Sequence, residues 1–220
     1  TSMVAVGQGT NTIAYADVSN KESWTGLGSS IFSTKGNQIA YNGQLFVAVG
    51  EGTNTIAYST NGVVWTGLGN SIFSTRGNGI TWTGTKWIAT GAGTNTLAHS
   101  SDGINWTGMG ESVFSTEAYN IDSNTNIIVA VGKGTNSMAY SEDGGVNWTG
   151  LGTNQFSING RGVCFNGKFW IASGIGITQH LYFSSDGKNC IDISTQHEYR
   201  YIVGNNPTKP LKDRKRSCRE

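Results

Sequence analysis

A twelve-residue string recurs along this chain, and its period constrains the fold more than any other feature of the sequence. VAVGQGTNTIAY at Val4–Tyr15 returns as VAVGEGTNTIAY at Val47–Tyr58, IATGAGTNTLAH at Ile88–His99 and VAVGKGTNSMAY at Val129–Tyr140, with a worn fifth copy from Ile171. The starts are separated by 43, 41, 41 and 42 residues. Each copy runs on to a Trp (Trp24, Trp65, Trp106, Trp148) that opens Trp-Thr-Gly-x-Gly, and Cys190 takes that slot in the fifth. Phe32, Phe73, Phe114 and Phe156 follow, and then a short apolar segment such as Gly79-Ile80-Thr81-Trp82. A unit of about 40 residues cannot bury a hydrophobic face alone, so the units must stack around a shared core.

Composition decides what each unit is made of. Gly (32), Thr (25), Ser (22) and Asn (21) make up 100 of the 220 residues, and these are poor helix formers that favour turns. A helical bundle or coiled coil is excluded, and no apolar run approaches the ~20 residues that a membrane-spanning helix needs. The unit from Gly77 reads GNGITWTG, KWIATG, NTLAHS and INWTGMG, four short apolar runs between glycine-rich turns. Four short antiparallel strands in about 42 residues are one blade of a β-propeller. The chain enters at the second strand of a blade (Met3–Gly7), and EYRYIVG at 198–204 is aromatic and β-branched enough to supply the missing innermost strand. The expected architecture is all-β: a five-bladed β-propeller of four-stranded antiparallel blades over residues 1–204, its first blade closed by that C-terminal strand, followed by a basic tail at 205–220.

The turn between third and outer strands has a pattern of its own. Ser141-Glu-Asp143-Gly-Gly-Val-Asn-Trp148 fits Ser-x-Asp-x-Gly-x-x-Trp; Ser100-Ser-Asp102-Gly103-Ile-Asn-Trp106 and Ser184-Ser-Asp186-Gly187 are shorter by one residue. Ser59-Thr-Asn61-Gly62 substitutes Asn, and Ala16-Asp17-Val18-Ser19 departs from the pattern. This resembles the Asp box of sialidase-type (BNR) β-propellers, and the repeat string is similar to that of repeat proteins encoded by large DNA viruses. In blade number and repetition the chain is also similar to tachylectin-type lectins, though not in motif. The Asp-box resemblance implies that Asp102, Asp143 and Asp186 are structural, on the periphery and away from a ligand face. The physics agrees: an Asp carboxylate accepts backbone N–H bonds two residues on, glycine supplies positive φ, and the Trp packs inward.

The net charge of +1 divides unevenly. Residues 205–220 hold six basic and two acidic side chains (+4), leaving nine basic and twelve acidic side chains (−3) in residues 1–204. The body has no basic field for nucleic acid, and the tail reads as a solvated end or as a contact for a partner or neighbouring chain. Cys164, Cys190 and Cys218 are too few and scattered for a disulfide framework, and no Cys/His spacing suggests a metal or cofactor site. No signal-peptide pattern follows Met3, which leaves the cytoplasm or a virion surface open.

Catalytic constellations are sparse. Sialidases clamp a carboxylate with an arginine cluster, whereas the body has Arg76, Arg161 and Arg200 only. Glu117, Asp122, Asp192 and Glu198 lie near inner strands without a spacing that brings two together, as a glycosidase requires. His99 fills a slot held by Tyr15, Tyr58 and Tyr140, His180 and His197 fall in the irregular copy, and Cys164 and Cys190 fill packing slots where thiols are inert. Gly-x-Gly-Thr-Asn suggests a phosphate loop, but a strand follows it rather than a helix N-terminus.

What remains is the convergence, at one end of a propeller, of the Gly-x-Gly-Thr-Asn turns with the interblade linkers Gly-x-Ser-Ile-Phe-Ser-Thr. Thr10, Asn11, Thr53, Asn54, Phe73, Thr94, Asn95, Phe114, Thr135 and Asn136 offer the amides, hydroxyls and aromatic faces that bind sugars. The expectation is a non-catalytic, lectin-like recognition module binding a glycan through repeated loop sites, each weak and strengthened by repetition. A structural or protein-interaction ring, such as a viral particle component, is the alternative, and a glycoside hydrolase the third reading. In the bland version Phe73 and its equivalents only wedge between blades. Positions that differ between copies bear on the choice: Gln8, Glu51, Ala92 and Lys133 in the turn, and Lys35, Arg76, Glu117 and Asn159 before the inner strand. Identical ligands at every blade would leave these outside the contact surface; one asymmetric partner would take them in.

Overall fold

The computed structural model describes residues 2–177 and 180–193, and among these every regular element is a β-strand. The strands form five successive antiparallel meanders. The first has three strands, β1 (Ser2–Val6), β2 (Ile13–Asp17) and β3 (Thr25–Gly26). The second has four, β4 (Lys35–Tyr41), β5 (Phe46–Glu51), β6 (Ile56–Ser59) and β7 (Thr66–Gly67). The third repeats it with β8 (Arg76–Trp82), β9 (Trp87–Ala92), β10 (Leu97–Ser100) and β11 (Thr107–Gly108). The fourth comprises β12 (Glu117–Ser123), β13 (Ile128–Lys133), β14 (Met138–Ser141) and β15 (Thr149–Gly150); the fifth comprises β16 (Asn159–Phe165), β17 (Trp170–Ile175), β18 (Leu181–Ser184) and β19 (Ile191–Asp192). The expected innermost strand of the first unit, 198–204, and the basic tail, 205–220, lie outside the described residues. Among the described residues no helix is long and apolar enough to cross a membrane.

The core lies in the seams between units. One cluster joins Ile13 and Phe32 to Ala48 and Ala57 across the first seam; another joins Val47, Val49 and Ile56 to Phe73, Ile80 and Trp87 across the second. Because a unit meets a neighbour on each side, β5, β9 and β13 are buried on both faces and read as unbroken apolar runs. Phe32, Phe73, Phe114 and Phe156 are each 0% exposed, burial worth ~2–3 kcal/mol apiece. Each ring lies against a glycine on the second strand of the following unit: a Cβ on Gly91 would stand 2.5 Å from Phe73, and one on Gly132 would stand 2.6 Å from Phe114. That close approach is why the recurring string needs its first glycine.

Backbone contacts stitch unit to unit at one end. Glu51 pairs with Arg76, Ala92 pairs with Glu117, and the Gly36 amide donates to the Gly7 carbonyl at 2.8 Å, while within each unit the amides of Thr34, Thr75 and Thr116 extend the pairing to the carbonyls of Glu51, Ala92 and Lys133. A bulge interrupts each described inner strand at the same place, at Asn37, Asn78, Tyr119 and Arg161. Two packing expectations need correction. Trp65, Trp106 and Trp148 are half-buried, but Trp24 is 46% exposed, because its turn lacks the Ser-x-Asp-Gly geometry that seats the others. Cys164 is exposed, not a buried packing residue.

Candidate functional site

The Gly-x-Gly-Thr-Asn turns and the linkers do meet, and their polar groups largely bond one another. Asn54 donates its amide to the Ile31 carbonyl at 2.7 Å and accepts from the Gly69 amide at 2.8 Å, tying together the linkers before and after its unit. Asn95 bonds Ile72 and Gly110 in the same way, and Asn136 bonds Val113 and Gly152. Asn11 accepts from Gly28 at 2.8 Å. Both ends of Asn54, Asn95 and Asn136 are thus spent on scaffold, and the fully enclosed rings of Phe73 and Phe114 present no face to a ligand. Ser33, Ser74 and Ser115 accept from the backbone amides of Thr53, Thr94 and Thr135. Of the ten candidate side chains, Thr10, Thr53, Thr94 and Thr135 project from the turns as exposed hydroxyls.

Asp102, Asp143 and Asp186 organise the turns that lead to the outer strands. Asp102 Oδ1 accepts from the Ile104 and Asn105 amides at 2.9 and 2.7 Å and from the Ser100 hydroxyl at 2.9 Å, while Ser100 Oγ accepts from the Gly103 amide at 2.8 Å. The Trp106 indole then donates to the Gly103 carbonyl. Asn105 holds the Asp102 carboxyl well below the usual range, first through its side-chain amide and then through its backbone N–H. The backbone N–H and then the side chain of Asn147 bring Asp143 to about 2, and Asp186 is lowered likewise by the Asn189 and Lys188 amides. Asn61 reproduces the turn without a charge.

Side chains at the start of the inner strands form the richest polar cluster among the described residues. Arg76 grips Glu117 with two bonds, Nε to Oε1 at 2.6 Å and a terminal amine to Oε2 at 2.8 Å, and Asn78 donates to the same Oε1 at 2.8 Å. Burial pushes the Glu117 carboxyl up, but the bonds from Arg76 and Asn78 outweigh it and hold the group below its ordinary value. Burial, then the Glu117 charge, raises the Tyr119 phenol. The Arg161 guanidinium lies 4.5 Å from the Tyr119 ring centroid. Further along the strands, Gln38 accepts from the Ile80 amide and Asn120 from that of Val163, satisfying edges that would otherwise be open. Sequence reading flagged the variable Arg76, Glu117 and Asn159 but missed Tyr119; comparing the bulge residue unit by unit would have found it.

Two of the carboxylates weighed for hydrolysis, Asp122 and Glu117, have other work. Asp122 accepts from the Ser123 and Phe165 amides at 2.8 Å each, and Glu117 is held by Arg76. Glu198 and His197 lie outside the described residues. Among the described residues no group of three or more His, Cys, Asp or Glu side chains could hold a metal ion. Burial pushes the Cys190 thiol up to about 11.

No protein-family model matches the sequence, and no curated protein matches it. Solved structures do resemble it. The computationally designed Ika8 protein superposes with a TM-score of 0.60 at 12% identity, over 86% of this chain and 57% of that one. The GH74 enzyme of Niastella koreensis gives 0.56 at 18% identity, over 86% of this chain and 30% of the enzyme. A chain of the nidogen/laminin complex gives 0.61 at 13% identity, over 82% and 70%. The chain thus spans just over half of the designed protein and under a third of the enzyme. At these identities the likeness is one of fold alone, an all-β, propeller-like succession of antiparallel meanders.

Proposed function

We propose that this chain is a non-catalytic recognition module that binds one asymmetric protein partner across the end where its turns and linkers meet. The architecture inferred with it is a five-bladed propeller in which 198–204 completes the first blade. The observation that carries the reading is where the copies differ. Gln8, Glu51 and Lys133, exposed or partly exposed, occupy the same turns as the exposed Thr10, Thr53 and Thr135, while beside the exposed Thr94 the equivalent Ala92 is buried, so a ligand touching the threonines meets a polar, an acidic, an apolar and a basic unit in turn. Identical sugars would gain nothing from that variation; a single surface laid across several units would use it. The absence of catalysis is supported by the structural bonds that occupy Glu117 and Asp122. A glycan ligand is the second reading, favoured by the four equivalent threonine hydroxyls.

The test is affinity capture from a native extract with three forms of the full chain. These are wild type, a variant carrying Thr53→Arg, Thr94→Arg and Thr135→Arg, and a variant carrying Val64→Arg and Ile104→Arg in the turns that lead to the outer strands. A protein held by the first and third but lost by the second supports the reading. Capture insensitive to the threonine substitutions refutes it. Binding of uncharged glycans on an array, abolished by those same substitutions, moves the assignment to the second reading.

A further inference from the structure

The seams between successive units share one construction. The earlier unit presents a cross-strand pair of larger side chains, Val6 with Ile13 in the first unit and Val49 with Ile56 in the second. The later unit receives them on a cross-strand pair of alanines, Ala48 with Ala57 and Ala89 with Ala98. Leu97 meets Ala130 and Ala139 in the same way across the third seam. All six alanines are 0% exposed. Small side chains let the sheets approach, so the larger pair of one unit fills the space over the alanines of the next.

Each end of the stack carries one half of such a seam. In the first unit the alanine pair is Ala5 with Ala14, and here Ala5 is exposed and Ala14 half-buried. Trp24 of the same unit is 46% exposed, whereas Trp65, Trp106 and Trp148 pack into the seam with the unit before their own. In the fifth unit the outgoing pair is Ser173 with Leu181; Ser173 is half-buried and Leu181 exposed, where Val49, Val131, Ile56 and Met138 are buried. Ile175 is exposed as well, at the place from which Glu51 and Ala92 pair with the inner strand of the next unit. The stack thus ends in two unlike faces, a flat alanine face and a projecting leucine face, which match one another and not themselves. Such an interface is heterologous: it joins an outgoing face to an incoming one, in the same chain or in another copy.

We infer that the joint between the fifth and first units is exchangeable, and that the Leu181 face of one copy of this chain docks on the alanine face, Ala5 and Ala14, of a second copy. In the single-chain ring proposed above the same two faces meet within one copy. Opening that joint exposes both, and a second copy offers each its match without any new kind of contact. The seams inside the stack keep their apolar pairs out of water; among the described residues the two end faces do not, and that residual exposure is what a second copy covers. The inference rests on the propeller reading and adds an occupant for its joint.

The test is sedimentation velocity on the full chain from about 5 to about 500 μM, for the wild type, Ala5→Arg, Leu181→Arg and an equimolar mixture of the two variants. The wild type is expected to gain a species of twice the single-chain mass as concentration rises. Each variant alone has one face spoiled and should need at least ~10-fold more protein for the same dimer fraction, the penalty for setting a charge in an apolar contact. The mixture should dimerise again, because the intact alanine face of Leu181→Arg meets the intact Leu181 face of Ala5→Arg; association through a single adhesive patch gives no such complementation. Ala5 and Leu181 are exposed, so cooperative melting near the wild-type midpoint verifies that the variants are folded. A wild type that stays monomeric throughout, variants that dimerise as it does, or a mixture no more associated than its components would overturn the exchange. Monomers whose capture of a partner still depends on Thr53, Thr94 and Thr135 would remove the second copy and leave the recognition reading standing; dimers with capture indifferent to those threonines would do the reverse.

Discussion

Replacing Asn95 with alanine separates a scaffold residue from a binding residue. Its side chain makes two bonds, Nδ2 to the Ile72 carbonyl at 2.7 Å and Oδ1 from the Gly110 amide at 2.8 Å. It also packs onto Gly108, where a Cβ would stand 2.3 Å from its amide group. Each bond is worth ~1 kcal/mol net, and two backbone groups would be left to find water, so the loss is about 2–3 kcal/mol. At ~2–4 °C per kcal/mol for a chain of this length, the thermal midpoint should fall by about 4–12 °C. Thr94→Ala, one residue away and exposed, should stay within ~0.5 kcal/mol of wild type. Calorimetry and urea titration of both variants measure this directly. If Asn95→Ala is as stable as Thr94→Ala, the amide is not holding the linkers together, and its role as a ligand contact returns.

Gly91→Ala should cost about 3 kcal/mol or more, because the new methyl would stand 2.5 Å from both Phe73 Cδ1 and the Arg76 carbonyl; an expressed variant with an unchanged denaturation midpoint would contradict the wedge. Acid should destabilise the chain. The folded-state pKa values of Asp102, Asp143, Asp186 and Glu117 are depressed, that of Asp143 to about 2. Their contribution is complete above the unfolded carboxyl values of about 4 and disappears as pH falls toward the folded ones, so equal stability at pH ~7 and ~2.5 in urea titrations would exclude it. Cys190→Trp should stabilise by ~1–2 kcal/mol, because the slot is bordered by Met138, Trp170 and Tyr182 and the Gly187 carbonyl stands where Gly62, Gly103 and Gly145 accept an indole N–H; a lower midpoint would show that the slot has closed around sulfur.

The units were legible because their period repeats every turn, wedge and strand, so one unit read correctly reads the next. The meeting of turns and linkers was legible for the same reason. The fate of the side chains was not. Asn95 carries the same letters whether its amide faces solvent or a carbonyl, and only the placement of Ile72 and Gly110 decides between them. Phe73 as a sugar platform and Phe73 as a wedge differ by the glycine it meets, Gly91, which lies eighteen residues along the chain and is adjacent only after folding. Tyr119 was hidden because its meaning is a difference: it stands where Asn37 and Asn78 stand and cannot do what Asn78 does.

The proposed ring is weakest where it closes. The ends of β3, β7, β11 and β15 at 26, 67, 108 and 150 precede the next inner strand, at 35, 76, 117 and 159, by nine residues each. Nine residues beyond the end of β19 at 192 is Tyr201, inside the segment 198–204 expected to complete the first blade. The wedge phenylalanines follow the same strand ends by six residues, and six beyond 192 is Glu198. In the sequence that position carries a carboxylate instead of an aromatic ring. Leu181, the counterpart of Ile13, Ile56, Leu97 and Met138, is 36% exposed where they are 1–2%, and Ile177 is 86% exposed. A joint with less buried apolar surface opens at lower free energy than the rest, so within the proposed ring the first and last units are the place where local opening begins.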